Sequence, residues 1–236
     1  MVNVVDIQGE VIPTPEIGKK DMLDLMFERQ HSLASKYIPI EKDNKLLQTE
    51  DFPVNIDSRN GQARIKDFAW RVTEELCEAT DALTRHLDDH THFLEEMIDA
   101  LHFFLELNLL CGIDANKIRE YFSLPNDVDS FDALLYISNQ LETLSKEEIK
   151  DKVSDAQLIY ITILQPIGNA MNRLKNKPWK QTHMVTDYEL FLDSIMPAWL
   201  GFLRVLNHKY DLTTEDIFTL YFKKSEVNKF RIRSGY

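Results

Sequence analysis

Glycine and proline are scarce, at seven and eight in 236 residues. That is too little punctuation for a chain of short strands and tight turns, and long stretches carry a helical apolar period instead. The expectation is an all-α fold, one domain over residues 1–236. Cysteine is nearly absent too. Cys77 and Cys111 have no metal-ligand spacing, which excludes a thiolate metal site and a disulfide framework. Both fall in helical stretches and are expected to be buried free thiols of a reducing compartment. No apolar run reaches the length of a membrane span, and the first residues lack the basic and apolar regions of a leader. A cytoplasmic protein with no membrane partner is expected. Positive charge is short: 27 Lys and Arg against 39 Asp and Glu give a net charge of −12. Such a surface disfavours non-specific nucleic-acid binding. It leaves a nucleotide open, because a bound cation reverses the local sign.

Helical period, caps and breakers divide what is there. A lead-in over residues 1–18 precedes a first helix, Lys20–Tyr37, with Gln30 near its apolar face. Residues 38–61, holding Pro39, Pro53 and Gly61, are expected to form a long loop of the kind that closes over a site. Gln62–His86 and Thr91–Cys111 are expected to form an antiparallel helical hairpin, stopped by Gly112. Asp114 is the expected cap of Ala115–Phe122. Ser130–Leu141 follows, then a helix from Ser145, with a capping box to Glu148, to about Asn176, kinked at Pro166. Asp187–His208 is interrupted at Pro197, and Thr213 or Thr214 caps a last helix ending near Lys223.

The hairpin carries the chemistry. Glu75 and Glu78 share one helix face, as do Glu96 and Asp99, and antiparallel helices bring the two pairs together. An ExxE on a helix is ordinarily a solvated face. Here Glu75 falls inside the apolar stripe of Phe68, Val72, Leu76, Ala79 and Leu83. The second helix is apolar nearly all round except for a strip of Glu95, Asp99, His102 and Glu106, with Glu96 on the flank beside Phe103. Four carboxylates share a small volume only if something positive neutralises them, and magnesium, which takes oxygen ligands, meets that need. The end of the chain has the opposite character. From residue 223 to 236 it is the most basic segment of an acidic protein. It is either an unstructured tail or a source of phosphate donors, Lys224, Asn228, Arg231 and Arg233.

Together these motifs resemble the all-α nucleoside-triphosphate pyrophosphatase superfamily, which includes dimeric dUTP pyrophosphatases and MazG-type enzymes. The closing run Lys224-Ser225-x-x-Asn228-x-x-Arg231-Ile232-x-x-Gly235-Tyr236 is similar to the K-N-x-x-N-x-x-R-Q-x-x-G-Y tail of the phage, bacterial and trypanosomatid dimeric dUTP pyrophosphatases and phage dCTP/dUTP pyrophosphatases. Asp99-x-x-His102-Phe103 resembles that family's second acidic helix, and Gln30 its base-recognising glutamine. Ser225 and Ile232 depart from the pattern, as does Ala34 where dUTP-specific members carry asparagine.

The resemblance implies hydrolysis of a deoxypyrimidine triphosphate, dUTP or dCTP, to the monophosphate and pyrophosphate. Glu75, Glu78, Glu96 and Asp99 would hold two or more magnesium ions, with manganese able to substitute. Glu75 would orient or deprotonate the attacking water. Gln30, His102, Lys224, Asn228, Arg231 and Tyr236 would bind substrate, and the chain would form a homodimer. Two other readings stay open: a MazG-like pyrophosphatase for another or modified nucleotide, and an inactive partner-binding homologue.

Overall fold

The computed structural model describes residues 15–45, 49–84, 89–141, 148 and 154–234, and every regular element among them is helical. Helix α1 (Met22–Asp43) starts where the Asp21 carboxylate accepts from the Leu23 and Asp24 amides at 3.0 and 3.2 Å. It runs past the expected end at Tyr37 with Pro39 inside it. Proline at that point forfeits one bond, to the Ser35 carbonyl. Two arginines of the next helix compensate by gripping the last turn: Arg64 and Arg71 donate to Glu41 at 2.8 and 3.3 Å. The connection expected over 38–61 therefore begins only at Asn44.

Helices α2 (Arg59–Thr84) and α3 (His90–Leu110) form the expected antiparallel hairpin. Residues 85–88, with His86 and Asp88, lie outside the described residues. Asp89 caps α3, accepting from the His92 amide at 3.1 Å. Gly112, at φ +72°, ends it as expected, and the Ile113 amide turns back to the Asn108 carbonyl at 2.9 Å. Asp114 caps α4 (Ala115–Phe122) through the Lys117 amide at 2.8 Å. Helix α5 (Ser130–Leu141) has the expected bounds.

The long helix expected from Ser145 falls partly outside the described residues, Ser145 included. What is described is α6 (Asp155–Ile159), opened by a different capping box, Ser154 with Gln157. It widens into a π turn at Tyr160–Leu164 before α7 (Gln165–Arg173). The expected kink at Pro166 takes this form for a local reason. Pro166 has no N–H to offer the Thr162 carbonyl, and Gly201 approaches that carbonyl so closely that a Cβ there would lie 2.2 Å from its oxygen. Helix α8 (Tyr188–Ile195) is capped by Asp187, and α9 (Pro197–Leu203) leads into a second π turn, Arg204–Lys209. The final helix, α10 (Thr214–Ser234), opens with a reciprocal Thr213–Asp216 box, the Asp216 amide donating to Thr213 Oγ1 at 3.1 Å. It runs through the basic segment to Ser234, so an unstructured tail is overturned for residues 224–234.

One continuous apolar core, with Phe68, Phe93, Phe104, Phe131, Phe191, Trp199, Phe202, Phe218 and Tyr221 as its largest members, holds the helices together. Two polar side chains at its centre, Trp199 and Asn108, are paired with each other. Trp199 Nε1 donates to Asn108 Oδ1 at 3.3 Å, and Asn108 Nδ2 donates to the Phe104 carbonyl at 2.7 Å. Cys111 is buried as expected, but Cys77 is exposed. The correction follows from register: Cys77 lies about 100° around α2 from Leu76, off the stripe that faces the core. Among the described residues no helix is long and apolar enough to cross a membrane.

Candidate active site

Helices α1, α2, α3 and α10 converge on one cavity of about 230 Å³. Each contributes through a side-chain period. Gln30, Leu33, Tyr37 and Glu41 come from α1; Arg71 and Glu75 from α2; Asp99, His102, Phe103 and Glu106 from α3; Asn228 and Arg231 from α10. Steps of three or four residues place each set on one face of its helix. This also explains the basic segment. Lys224, Asn228 and Arg231, spaced four and three apart on a helix, share the face turned toward the hairpin.

At one end the acids meet. Carboxyl oxygens of Glu75, Glu78 and Glu96 lie within 4.8 Å of one another. Glu96 is nearly buried, Glu75 half-buried and Glu78 exposed, so the cluster has a dry side and an open side. Burial, a hydrogen bond with Glu96 and the surrounding carboxylates push Glu75 up to about 8. The protonated form of Glu75 is thereby favoured, with Glu96 as its hydrogen-bond partner. Asp99 stands apart from this group, paired with Lys224 at 2.5 Å. Burial raises Asp99 above the ordinary carboxylate range, and Lys224 opposes the shift. His92 Nδ1 lies 3.2 Å from Glu96. The hard oxygen donors and the repulsion stored among them fit a divalent cation of the magnesium type, with Glu75, Glu78 and Glu96 as the grouped ligands.

At the other end the cavity wall is a closed network. The Gln30 side chain is buried, its amide 2.8 Å from His102 Nδ1, 2.9 Å from the Tyr221 hydroxyl and 3.0 Å from Glu106 Oε2. His102 stacks on Tyr221 with ring centroids 4.0 Å apart, and its Nε2 lies 3.1 Å from the Tyr221 carbonyl. Complete burial drives His102 down to about 3, so the ring is neutral. Burial pushes Glu106 up to about 7. Phe103 and Arg71 form a side wall, the guanidinium 5.9 Å from the Phe103 ring centre and 4.4 Å from that of Phe68.

Of the residues expected from the sequence, the cavity brings together Gln30, Glu75, Asp99, His102, Asn228 and Arg231. Glu78 and Glu96 complete the acid cluster beside it, and Lys224 reaches it through Asp99. Tyr236 lies outside the described residues. Neither Ala34 nor Ile232 lines the cavity, and Ser225 is fully buried. The lining residues not singled out in advance are Tyr37, Glu41 and Arg71, together with Glu106 as a wall of the pocket. Tyr37 and Glu41 fell at the end of α1 or in the stretch read as a loop. Glu106 was visible as the last member of the polar strip on α3.

A family model described as dUTPase matches residues 83–236, more than half of the chain. The chain belongs to this dUTPase family. The match takes in Glu96, Asp99, His102 and the whole of α10, and it begins just after Glu75 and Glu78. No curated protein and no solved structure matches the chain. As a member of the dUTPase family the chain is a nucleotide hydrolase, and the grouped carboxylates agree with the divalent metal such enzymes generally use.

Proposed function

We propose that the chain hydrolyses a deoxypyrimidine triphosphate, dUTP or dCTP, to the monophosphate and pyrophosphate, with magnesium held by Glu75, Glu78, Glu96 and Asp99. One observation carries the reading: a cluster of carboxylates and a face of phosphate-type donors, Lys224, Asn228 and Arg231, border the same cavity. An acidic cluster alone repels a triphosphate, and a basic helix face alone selects no reaction. Opposed across a cavity, they supply a place for metal and a place for phosphate.

When bound, magnesium supplies the charge neutralisation and Lewis acidity that phosphoryl transfer needs. The protein side follows from the geometry. Arg231 and Asn228 hold phosphate oxygens, and Lys224 moves between Asp99 and the triphosphate. Glu75, inside the apolar face, orients the attacking water and takes its proton. The water oxygen bonds to the α-phosphorus, the bond from that phosphorus to the α–β bridging oxygen breaks, and pyrophosphate leaves. Phe103 and Glu106, about one and two helical turns beyond Asp99 along α3, face the base together with Gln30 of α1. A homodimer is part of this proposal by family resemblance.

The test is pyrophosphate release with magnesium from dUTP, dCTP, dTTP, the purine deoxynucleotides and the ribonucleotides. Turnover of dUTP or dCTP well above the rest is expected, and Glu75→Gln is expected to lower kcat by about 10²–10⁴-fold, the range for loss of a general base. Undiminished turnover in that variant refutes the assignment of Glu75.

A further inference from the structure

The end wall of the cavity poses a question of proton placement that its chemistry answers. The Tyr221 carbonyl can only accept, so His102 Nε2, 3.1 Å away, carries a proton. With the amide oxygen of Gln30 set against His102 Nδ1, that nitrogen needs a proton as well. This makes an imidazolium at a site with 4% of the residue exposed and no carboxylate against the ring among the described residues. A buried charge without a partner is costly. The two ends of an amide have nearly the same shape, and the surrounding donors decide which way it faces. Turned over, every group is satisfied with no charge at all. The Gln30 NH2 donates to His102 Nδ1 and to the Tyr221 hydroxyl. Tyr221 passes its own proton to the Met26 carbonyl at 3.0 Å. The Gln30 carbonyl then faces Glu106 Oε2 at 3.0 Å, and the proton between those two oxygens is the one carried by the Glu106 carboxyl.

In this arrangement Gln30 has spent both N–H groups and its carbonyl inside the protein. What remains on the wall is Glu106 Oε1. Glu106 lines the cavity, and this second oxygen has no hydrogen-bond partner among the described residues. It is an acceptor, because the carboxyl proton is directed at Gln30. Seven residues separate Glu106 from Asp99, which on one helix is about 10.5 Å, leaving room for a sugar between the phosphate end and this wall. Phe103, also in the lining, offers a face on which a base can stack.

We propose that Glu106, rather than Gln30, reads the base, and that as a lone acceptor it favours an amino-bearing pyrimidine of the cytosine class over uracil. Gln30 is the positioning residue that aims it. The preference follows from what each base offers to one acceptor. The exocyclic amino group of cytosine has an N–H on its C5 side that Glu106 can take without enclosing the ring nitrogen. The N3–H of uracil lies between two carbonyl oxygens. An acceptor that meets it turns both of them toward an end wall whose N–H groups, those of Gln30 and His102, are already engaged within the protein, and an unsatisfied buried acceptor is penalised. A carboxyl accepting from a cytosine amino group is also an established readout in nucleic-acid recognition.

This inference rests on the pyrophosphatase reading above, and one set of measurements separates the two. kcat/KM is measured for dCTP, dUTP and the triphosphate of 2-pyrimidinone deoxyriboside, which is cytosine without its amino group. The wild type, Glu106→Gln and Glu106→Ala are compared. Expected is a preference for dCTP over each of the other two of about 10–100-fold in the wild type, the scale of one hydrogen-bonded group. In Glu106→Ala the amino group should no longer matter, so dCTP and the amino-less analogue converge. In Glu106→Gln, whose amide can present a donor, the dCTP to dUTP ratio should fall at least about tenfold. The wild-type comparison among three substrates needs no variant to fold. A wild type that prefers dUTP, or that treats the amino-less analogue as it treats dCTP, overturns the inference and leaves the pyrophosphatase reading standing. So do Glu106 variants that lower all three substrates equally. A wild type that releases pyrophosphate from none of them overturns both.

Discussion

Magnesium binding should expel a proton, and Glu75 sets how much. Without metal its carboxyl is pushed up to about 8, first by burial, then by the hydrogen bond to Glu96 and by the neighbouring acids. A cation that takes Glu75 as a ligand needs it ionised, so binding and proton loss are linked. At pH 7 the group is about nine tenths protonated, and binding should release about 0.9 proton; at pH 9 the figure drops to about 0.1. Apparent affinity should then climb about tenfold per pH unit below 8 and level off above it. The assay is calorimetric titration with magnesium chloride at pH 7 in two buffers of very different ionisation enthalpy. The heats should differ by about 0.9 of that difference, and Glu75→Gln should abolish the dependence. A second readout is thermal stability without metal. Glu75 and Glu106, at about 8 and 7, keep protons in the folded chain that the unfolded chain has already lost. More protons are bound in the native state, so stability is fully present below the ordinary glutamate range and is lost as pH rises toward 8. Saturating magnesium should flatten that decline. Equal heats in both buffers at pH 7, together with a melting temperature that rises with pH, would refute the linkage.

Two further outcomes follow from single contacts. Lys224 neutralises Asp99 at 2.5 Å, so Lys224→Met should let Asp99 climb further and move the acid limb of kcat/KM to higher pH. The accompanying loss should be about 10–100-fold, the scale for groups that support metal ligands, and Lys224→Arg should restore the limb. Two glycines make opposite predictions. At Gly201 a Cβ would stand 2.2 Å from the Thr162 carbonyl oxygen, whereas at Gly168 nothing lies within 4 Å. Gly201→Ala should cost about 1–3 kcal/mol, and Gly168→Ala should gain about 0.4–1 kcal/mol. Denaturant melts decide the matter, and equal effects at the two sites would overturn the account of the π turn.

Much of this site was legible because helices convert spacing into direction. Glu75, Glu78, Glu96 and Asp99 declare themselves by a three-residue step on two helices that otherwise bury those faces. The caps at Asp114 and Thr213 were legible for a related reason, since each is a local bond between a side chain and an amide three residues on. What escaped depends on other parts of the chain. Pro39 signals a break, and only Arg64 and Arg71, from α2, carry α1 through it to Glu41. The segment after Lys223 looks unstructured by composition because its stabilising partners, Asp99 and Arg29, belong to α3 and α1. Once it is helical, the spacing of Lys224, Asn228 and Arg231 points to one face, a period present in the sequence all along. Gln30 shows the same limit in chemical terms. Its residue type suggests a reader of bases, but what an amide can read depends on which of its atoms are already engaged. His102, Tyr221 and Glu106, from two other helices, engage all of them. Selectivity then passes to the carboxyl at the end of that chain of bonds, and a substitution at Glu106 should alter base choice more than one at Ala34, which faces the core.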